Sequence, residues 1–370
     1  MNPQTQDDWE VLLRFLPAGW EQKALELGAL SRKRKIDSAP TLLRVLLIHL
    51  ASGKSLRTTV AYAHEANLCS INDAALLHRL KVSEEWLHWM CLQILKGIKR
   101  PSGLEKTGSR FQVRVVDSTS ITEPGNTGTG WRIHYCLRLE NLRCDTFQIT
   151  SPKVGEDFQR YDVSPGDLLI GDRGYCKRQG ITHVLKSGGY VLVRFHSSNL
   201  PLFDQQGKPF SPLEHLRLLK AGDCGDWNVY YQKPGSRDLQ RGRLCAVKKS
   251  EEAAELTRKK LRAKASRKMR TLLPQTLEYA EYVSVFTTVT RRHLRAADVL
   301  ELYRARWQIE LVFKRLKSII GVGHLPKRNE ESCIAWLYGK MLVAMLVERL
   351  YVEAESFSPW GYPISCPQQR

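Results

Sequence analysis

Apolar residues recur at helical spacing through most of the first hundred positions. The run TLLRVLLIHLAS lines one face with leucines and stops at Gly53, a residue type that closes helices. SLRTTVAYAHEA follows, with Ser55 placed to cap its N-terminus. INDAALLHRL and SEEWLHWMCLQILKGI continue the pattern, the second opening around Ser83, Glu85 and Trp86. Residues 1–100 therefore predict an all-helical N-terminal domain. Arg and Lys on its outer faces suit contact with DNA, and equally an ordinary solvated surface. The spacing does not say which helix would enter a groove.

The segment KRPSGLEKTGSR (99–110) is rich in Gly, Ser and charge and predicts a domain boundary. Beyond it the period shortens towards two. FQVRVVDSTS is a β-branched run that predicts a strand ending at Asp117. WRIHYCLRLE and LRCDTFQIT predict a hairpin, and DLLIGDRGY a further strand running into Asp172. CKRQGITHVLKSG then predicts a helix and YVLVRF a strand. Residues 111–196 thus predict the first part of an α/β core, a mixed sheet with helices on its faces. Residues 197–286 alternate turn signals (GKPFSP, GDCGDW, KPGSRD) with short period-two segments, and contain RKKLRAKASRKMR. They predict a β-rich insertion carrying one basic helix. Residues 287–325 hold a strong helix over 298–318 that completes the core. Residues 326–370 hold another over 330–354, then the tail SFSPWGYPISCPQQR, which loses helical character after Trp360.

Charge narrows the classes of function. Lys and Arg total 57 against 38 acidic residues, a net charge of +19. A polyanion is the partner such a balance implies, and nucleic acid is the commonest. Ribosome-associated, membrane-surface and simply basic proteins share the property. The nine cysteines form no CxxC and stand beside no His cluster with zinc spacing, so free thiols in a reducing cytoplasm are expected. The N-terminus lacks a basic-then-apolar leader, and the apolar stretch MLVAMLVERLYV is broken by Glu348 and Arg349. No membrane association is expected.

The candidate chemistry lies in three acids. Asp117 and Asp172 each follow an apolar strand, and strand ends are where ligand sites gather in open α/β sheets. On adjacent parallel strands the two carboxylates would share a hard cation such as Mg²⁺ or Mn²⁺. The alternative for either Asp is a turn-former or helix cap. Ser-Thr-Ser after Asp117 offers hydroxyls, and Arg173-Gly174-Tyr175 gives a tight turn that would display Asp172. YRARWQIELVFKRLK places Tyr303, Arg306, Glu310 and Lys317 on one helix, within about 60° of arc. Leu302, Ile309, Val312, Phe313 and Leu316 form an apolar stripe beside them. Glu310 at the cleft would complete a three-carboxylate cage. The alternative is a surface helix with Glu310 paired to Lys314. Two ions about 4 Å apart account for the need for three acids in phosphoryl transfer.

These residues resemble a known family. Tyr303, Arg306, Glu310 and Lys317 match the Y-x2-R-x3-E-x6-K signature of the DDE insertion-sequence transposases of family four (IS-four). VVDST and IGDRGY resemble that family's two Asp motifs, and SLRTTVAYA, ALLHRL and GTGWRIHY are similar to the same group. The resemblance implies an RNase H-like catalytic core interrupted by a β-rich insertion between Asp172 and Glu310. It implies that Asp117, Asp172 and Glu310 are the catalytic, metal-binding triad, holding two Mg²⁺ or Mn²⁺ ions. Tyr303, Arg306 and Lys317 would contact terminal phosphates, with Lys314 and Arg173 in the same DNA-binding set. Trp307 would hold a base flipped from the DNA end, or simply pack in the core. The implied reaction is cut-and-paste transposition: strand nicking, hairpin formation and opening, then joining to target DNA.

The implied partners are double-stranded DNA, as terminal inverted repeats and target, and a second copy in a synaptic homodimer. The implied location is the nucleoid of a prokaryotic cytoplasm. Relatives in that group commonly continue past a tail as short as this one, which bears on the first of two other readings. One is a truncated transposase acting as a DNA-binding inhibitor. The other is an RNase H-like nuclease without strand transfer. Among the remaining residues, the basic run Arg258–Arg270 would track a DNA backbone or form a solvated face. His134 would touch DNA or pack in its hairpin, and Glu156 would be an outlying acid of the site.

Overall fold

The protein is described by a computed structural model over residues 9–31, 34–97, 110–122, 130–323, 325–326 and 329–355. Most of the expected 99–110 boundary, and the tail from 356, lie outside these residues.

The N-terminal region is helical as its spacing predicts: α1 (Trp9–Leu13), α2 (Trp20–Glu26), α3 (Ala39–Ser52), α4 (Leu56–Glu65), α5 (Asp73–Val82) and α6 (Glu84–Gly97). Local chemistry sets the ends. Ser55 Oγ accepts from the Thr58 amide at 3.1 Å and Asn72 Oδ1 from the Ala75 amide at 2.8 Å, satisfying donors that a first turn leaves free. Gly53 ends α3 at φ 66°, where a Cβ would be strained. Trp86, fully buried, donates its indole N–H to the Trp20 carbonyl at 2.8 Å.

The sheet begins with β1 (Gln112–Thr122), β2 (Gly130–Arg138) and β3 (Arg143–Thr150), continues through β4 (Asp167–Gly171), and reaches β5 (Tyr190–Arg194) after α7 (Arg178–Lys186). Next come α8 (Pro212–Leu216), β6 (Cys224–Gln232), β7 (Leu239–Lys248), α9 (Glu251–Arg267), α10 (Pro274–Tyr279) and β8 (Tyr282–Thr287). The spatial order is β3-β2-β1-β4-β5-β8-β7-β6. β1, β4 and β5 run parallel to one another, and the flanking pairs are antiparallel. One expectation changes here. β8, read as the end of the insertion, pairs with β5 and belongs to the central sheet, because Val285 and Phe286 need that buried position. The β6–β7 hairpin, in the segment read as a β-rich insertion, extends the same sheet through β8.

A buried ion network fastens the first four strands. Arg114 on β1 meets Asp167 of β4 at 2.8 Å and Asp145 of β3, and Arg138 of β2 meets Asp145 at 2.7 Å. The chain closes with α11 (Ala296–Arg304), α12 (Trp307–Ser318) and α13 (Glu330–Glu355). α13 packs on α3, α5, α6 and β3. Its residues Cys333, Leu337, Met341 and Leu342 are buried, so residues 330–355 share the core of the N-terminal helices.

Candidate active site

Register brings the first two acids together. In the parallel β1–β4 pair Val116 stands opposite Gly171, so Asp117 and Asp172 come next on adjacent strands. β1 does not end at Asp117 as expected. It runs on to Thr122, because its pairing with β2 continues from Asp117↔Tyr135 to Thr122↔Gly130. Asp117 therefore sits where β4 leaves its side, with Oδ1 accepting from the Ser118 amide at 2.8 Å. After Asp172 the chain turns sharply through Arg173–Tyr175, and the buried Tyr175 packs back on the strand end. A Cβ at Gly171 would lie 2.9 Å from the Tyr175 side chain, so this turn needs glycine there.

The signature residues do not share one helix. The predicted 298–318 helix is jointed at Ala305 and Arg306 between α11 and α12. Backbone bonds at the joint run from Arg306 to Tyr303, Gln308 to Ala305 and Ile309 to Arg306, the tighter three-residue step. Tyr303 is buried at the end of α11 and donates its hydroxyl to Asp172 Oδ1 at 3.2 Å. Arg306, beyond the joint, reaches Asp117 Oδ2 at 3.5 Å with one nitrogen and Glu310 Oε1 with the other. Of the apolar stripe, Ile309, Val312, Phe313 and Leu316 on α12 are buried, while Leu302 lies on α11 and is half-buried.

Two sets of side-chain contacts result, Tyr303 on Asp172, and Arg306 on Asp117 and Glu310, and the β1–β4 register sets Asp117 beside Asp172. Among the described residues no three acidic, imidazole or thiol groups close on a point by themselves. The Arg306 guanidinium stands between Asp117 and Glu310, and the Glu310 side chain is 57% exposed. Burial, then the charges of Glu156 and Asp172, push the Asp117 carboxyl up to about 7, against the Ser118 amide and Arg306, which favour its ionised form. Lys314 and Lys317 are exposed on α12, and Arg173 is exposed after Asp172. Trp307 is 50% exposed, which excludes core packing for it. His134 is fully buried and bonded to Thr150 Oγ1 at 3.0 Å, so it packs within the hairpin. On α9, Arg258 and Arg262 pair with Glu251, Glu255 and Glu281, while Lys259, Lys260 and Lys264 stay exposed.

Sequence reasoning missed a basic pocket beside Asp172. A cavity of about 300 Å³ is lined by Arg173, Arg194, His196, Thr257 and Tyr279, among others. Lys249 is held nearby, donating to Thr257 Oγ1 at 3.0 Å; burial, then Arg194 and Arg173, lower its ammonium to about 8. The signal was available for Arg194. It is the last residue of β5, which runs parallel to β4, so it emerges at the same sheet edge as Asp172.

Residues 108–346 match the family model described as the transposase DDE domain. The chain belongs to the DDE transposases, of the IS-four group, and its mixed sheet is their RNase H-like core. Enzymes of this family cleave and join DNA strands, with divalent metal generally implied. The transposase for insertion sequence element IS421 of Escherichia coli is 31% identical over 360 residues, 95% of this chain and 96% of its own length. InsL of element IS186A in Escherichia coli (strain K12) is 31% identical over 359 residues, with the same coverage. The IS231F transposase of Bacillus thuringiensis subsp. israelensis is 27% identical over 201 residues, 50% of this chain and 41% of its own. No helix among the described residues is long and apolar enough to cross a membrane.

Proposed function

We propose that this chain moves an insertion sequence by cut-and-paste, with Asp117, Asp172 and Glu310 holding two Mg²⁺ or Mn²⁺ ions. The observation that carries the reading is the link from the signature to both Asp motifs: Tyr303 on Asp172, and Arg306 on Asp117 and Glu310. The donor set fits a hard cation. It consists of carboxylate oxygens, and at Asp117 burial and the charges of two further acids outweigh the Ser118 amide and Arg306, so a cation would favour its ionised form. Bound divalent ions supply activation of the attacking oxygen and stabilisation of the departing one.

The chain's own residues do the rest. Tyr303 fixes the orientation of Asp172. Arg306 presents a planar guanidinium that suits phosphate as well as carboxylate, and it takes a phosphate of the DNA end. Arg173, Lys314 and Lys317 add charge along the same strand. Trp307 offers an open aromatic face to an unstacked base, which lowers the cost of bending the end into a hairpin. The sequence of steps is nicking, hairpin formation, hairpin opening and joining to target. The DNA partners are terminal inverted repeats and target duplex, held by a homodimer in which each subunit grips one end partly in trans.

The test is strand transfer from pre-cut transposon ends with Mg²⁺ or Mn²⁺. Joined product is expected. Hydrolysis without joining would leave a nuclease instead. Cation binding also has a predicted pH dependence. It must release the proton that Asp117 holds up to about 7, so Mn²⁺ affinity rises between about pH 6 and 8 and levels off above. The sign for folding is opposite. An acid whose native value is raised stabilises the fold when protonated, so the metal-free protein loses stability as pH rises through about 7. Calorimetric titrations across this range check the first effect, and a flat profile would contradict it.

A further inference from the structure

Glu156 lies in the loop between β3 and β4, outside every signature position. Its Oε1 accepts from Ser118 Oγ at 2.8 Å, and the Ser118 amide in turn donates to Asp117 Oδ1. Its Oε2 rests on the turn that displays Asp172: a Cβ on Gly174 would stand 1.8 Å from it. Glycine at 174 is thus the condition for this carboxylate to approach. Lys177 fastens the loop, donating its ammonium to the Glu156 carbonyl and pairing with Asp157 at 3.8 Å. Glu156 therefore meets the Ser118 hydroxyl beside Asp117 and lies against Gly174, two residues beyond Asp172. Glutamine would accept the same hydrogen bond from Ser118, so structure alone does not call for a charge here.

We propose that Glu156 is a fourth carboxylate of the divalent-cation site, adding its charge beside Asp117 and fixing the Asp117 segment through Ser118. This rests on the reading that Asp117 and Asp172 hold the cation. A carboxylate held near two others is unfavourable until a dication joins them, and then each adds to affinity.

The experiment is Mn²⁺ binding to the full chain by calorimetry, with circular dichroism to verify folding. Glu156→Gln is expected to weaken Mn²⁺ binding about tenfold or more, in the range for supporting residues of metal sites. Added Mn²⁺ should restore most of the nicking rate. Ser118→Ala, which removes the hydrogen bond but no charge, should weaken binding less. Gly174→Ala should act like Glu156→Gln, by forcing the carboxylate away. Mn²⁺ affinity of Glu156→Gln within about twofold of the parent overturns the proposal, set against that tenfold expectation. Should Glu156→Gln fail to fold, unchanged affinity in both other variants overturns it. Failure of the underlying reading looks different: the parent protein itself binds no Mn²⁺, or Asp172→Asn binds it unchanged.

Discussion

Asp172→Asn is expected to lower metal-dependent nicking of transposon-end DNA by about 10³-fold or more, with folding and DNA affinity nearly unchanged. The size follows from the reaction class. Positioned metal ions supply several kcal/mol to the transition state, and each 1.4 kcal/mol is about tenfold in rate. Folding should survive because the amide oxygen of Asn can still accept the Tyr303 hydroxyl, the bond that anchors Asp172 in the crevice. DNA affinity should survive because it comes from exposed cations and the net charge of +19, not from the acids. Glu310→Gln should behave alike in rate. It also frees Arg306 from an ion pair with a largely exposed carboxylate, a pair worth little by itself. Single-turnover nicking with Mg²⁺, paired with gel-shift affinity, separates the two effects. Loss of binding together with cleavage would mean that Asp172 supports structure.

Arg114→Met is expected to cost about 3–5 kcal/mol of folding stability, the range for breaking a buried ion pair on one side. Arg114 is enclosed, with its side chain 4% exposed, and it joins β1 to Asp145 on β3 and Asp167 on β4. Without it two buried carboxylates lose their main cation, and Arg138 remains only for Asp145. The strands it ties are those that carry Asp117 and Asp172, so nicking should fall at temperatures where the parent is still folded. Denaturant unfolding followed by circular dichroism gives the stability change. A loss under about 1 kcal/mol, the range of exposed pairs, would show that the network contributes little.

What could be read from the chain follows from which interactions are local. Helix caps at Ser55 and Asn72 and the stop at Gly53 are set by neighbouring residues, and α3 to α6 lie where their spacing puts them. The candidate acids were legible because apolar strand runs precede Asp117 and Asp172 and Glu310 lies within a spaced signature. The joint at Ala305 and Arg306 was not. Its backbone stays in the right-handed helical region, and no Gly or Pro marks it. On its two sides Tyr303 meets Asp172, and Arg306 meets Asp117 and Glu310. The membership of β8 in the central sheet depends on pairing across nearly a hundred residues with β5, which no local pattern carries. Glu156 was named as an outlying acid, but its contacts were not legible, because Ser118 and Gly174 come from two other segments of the chain.

The central claim is that Asp117, Asp172 and Glu310 share divalent cations at one crevice. Substituting Fe²⁺ for Mg²⁺ and generating hydroxyl radicals at the bound ion with ascorbate and peroxide would cut the polypeptide next to its ligands. Cuts beside residues 117, 172 and 310, suppressed by excess Mg²⁺, are the predicted result. Cuts clustered elsewhere, or none near Glu310, would contradict it.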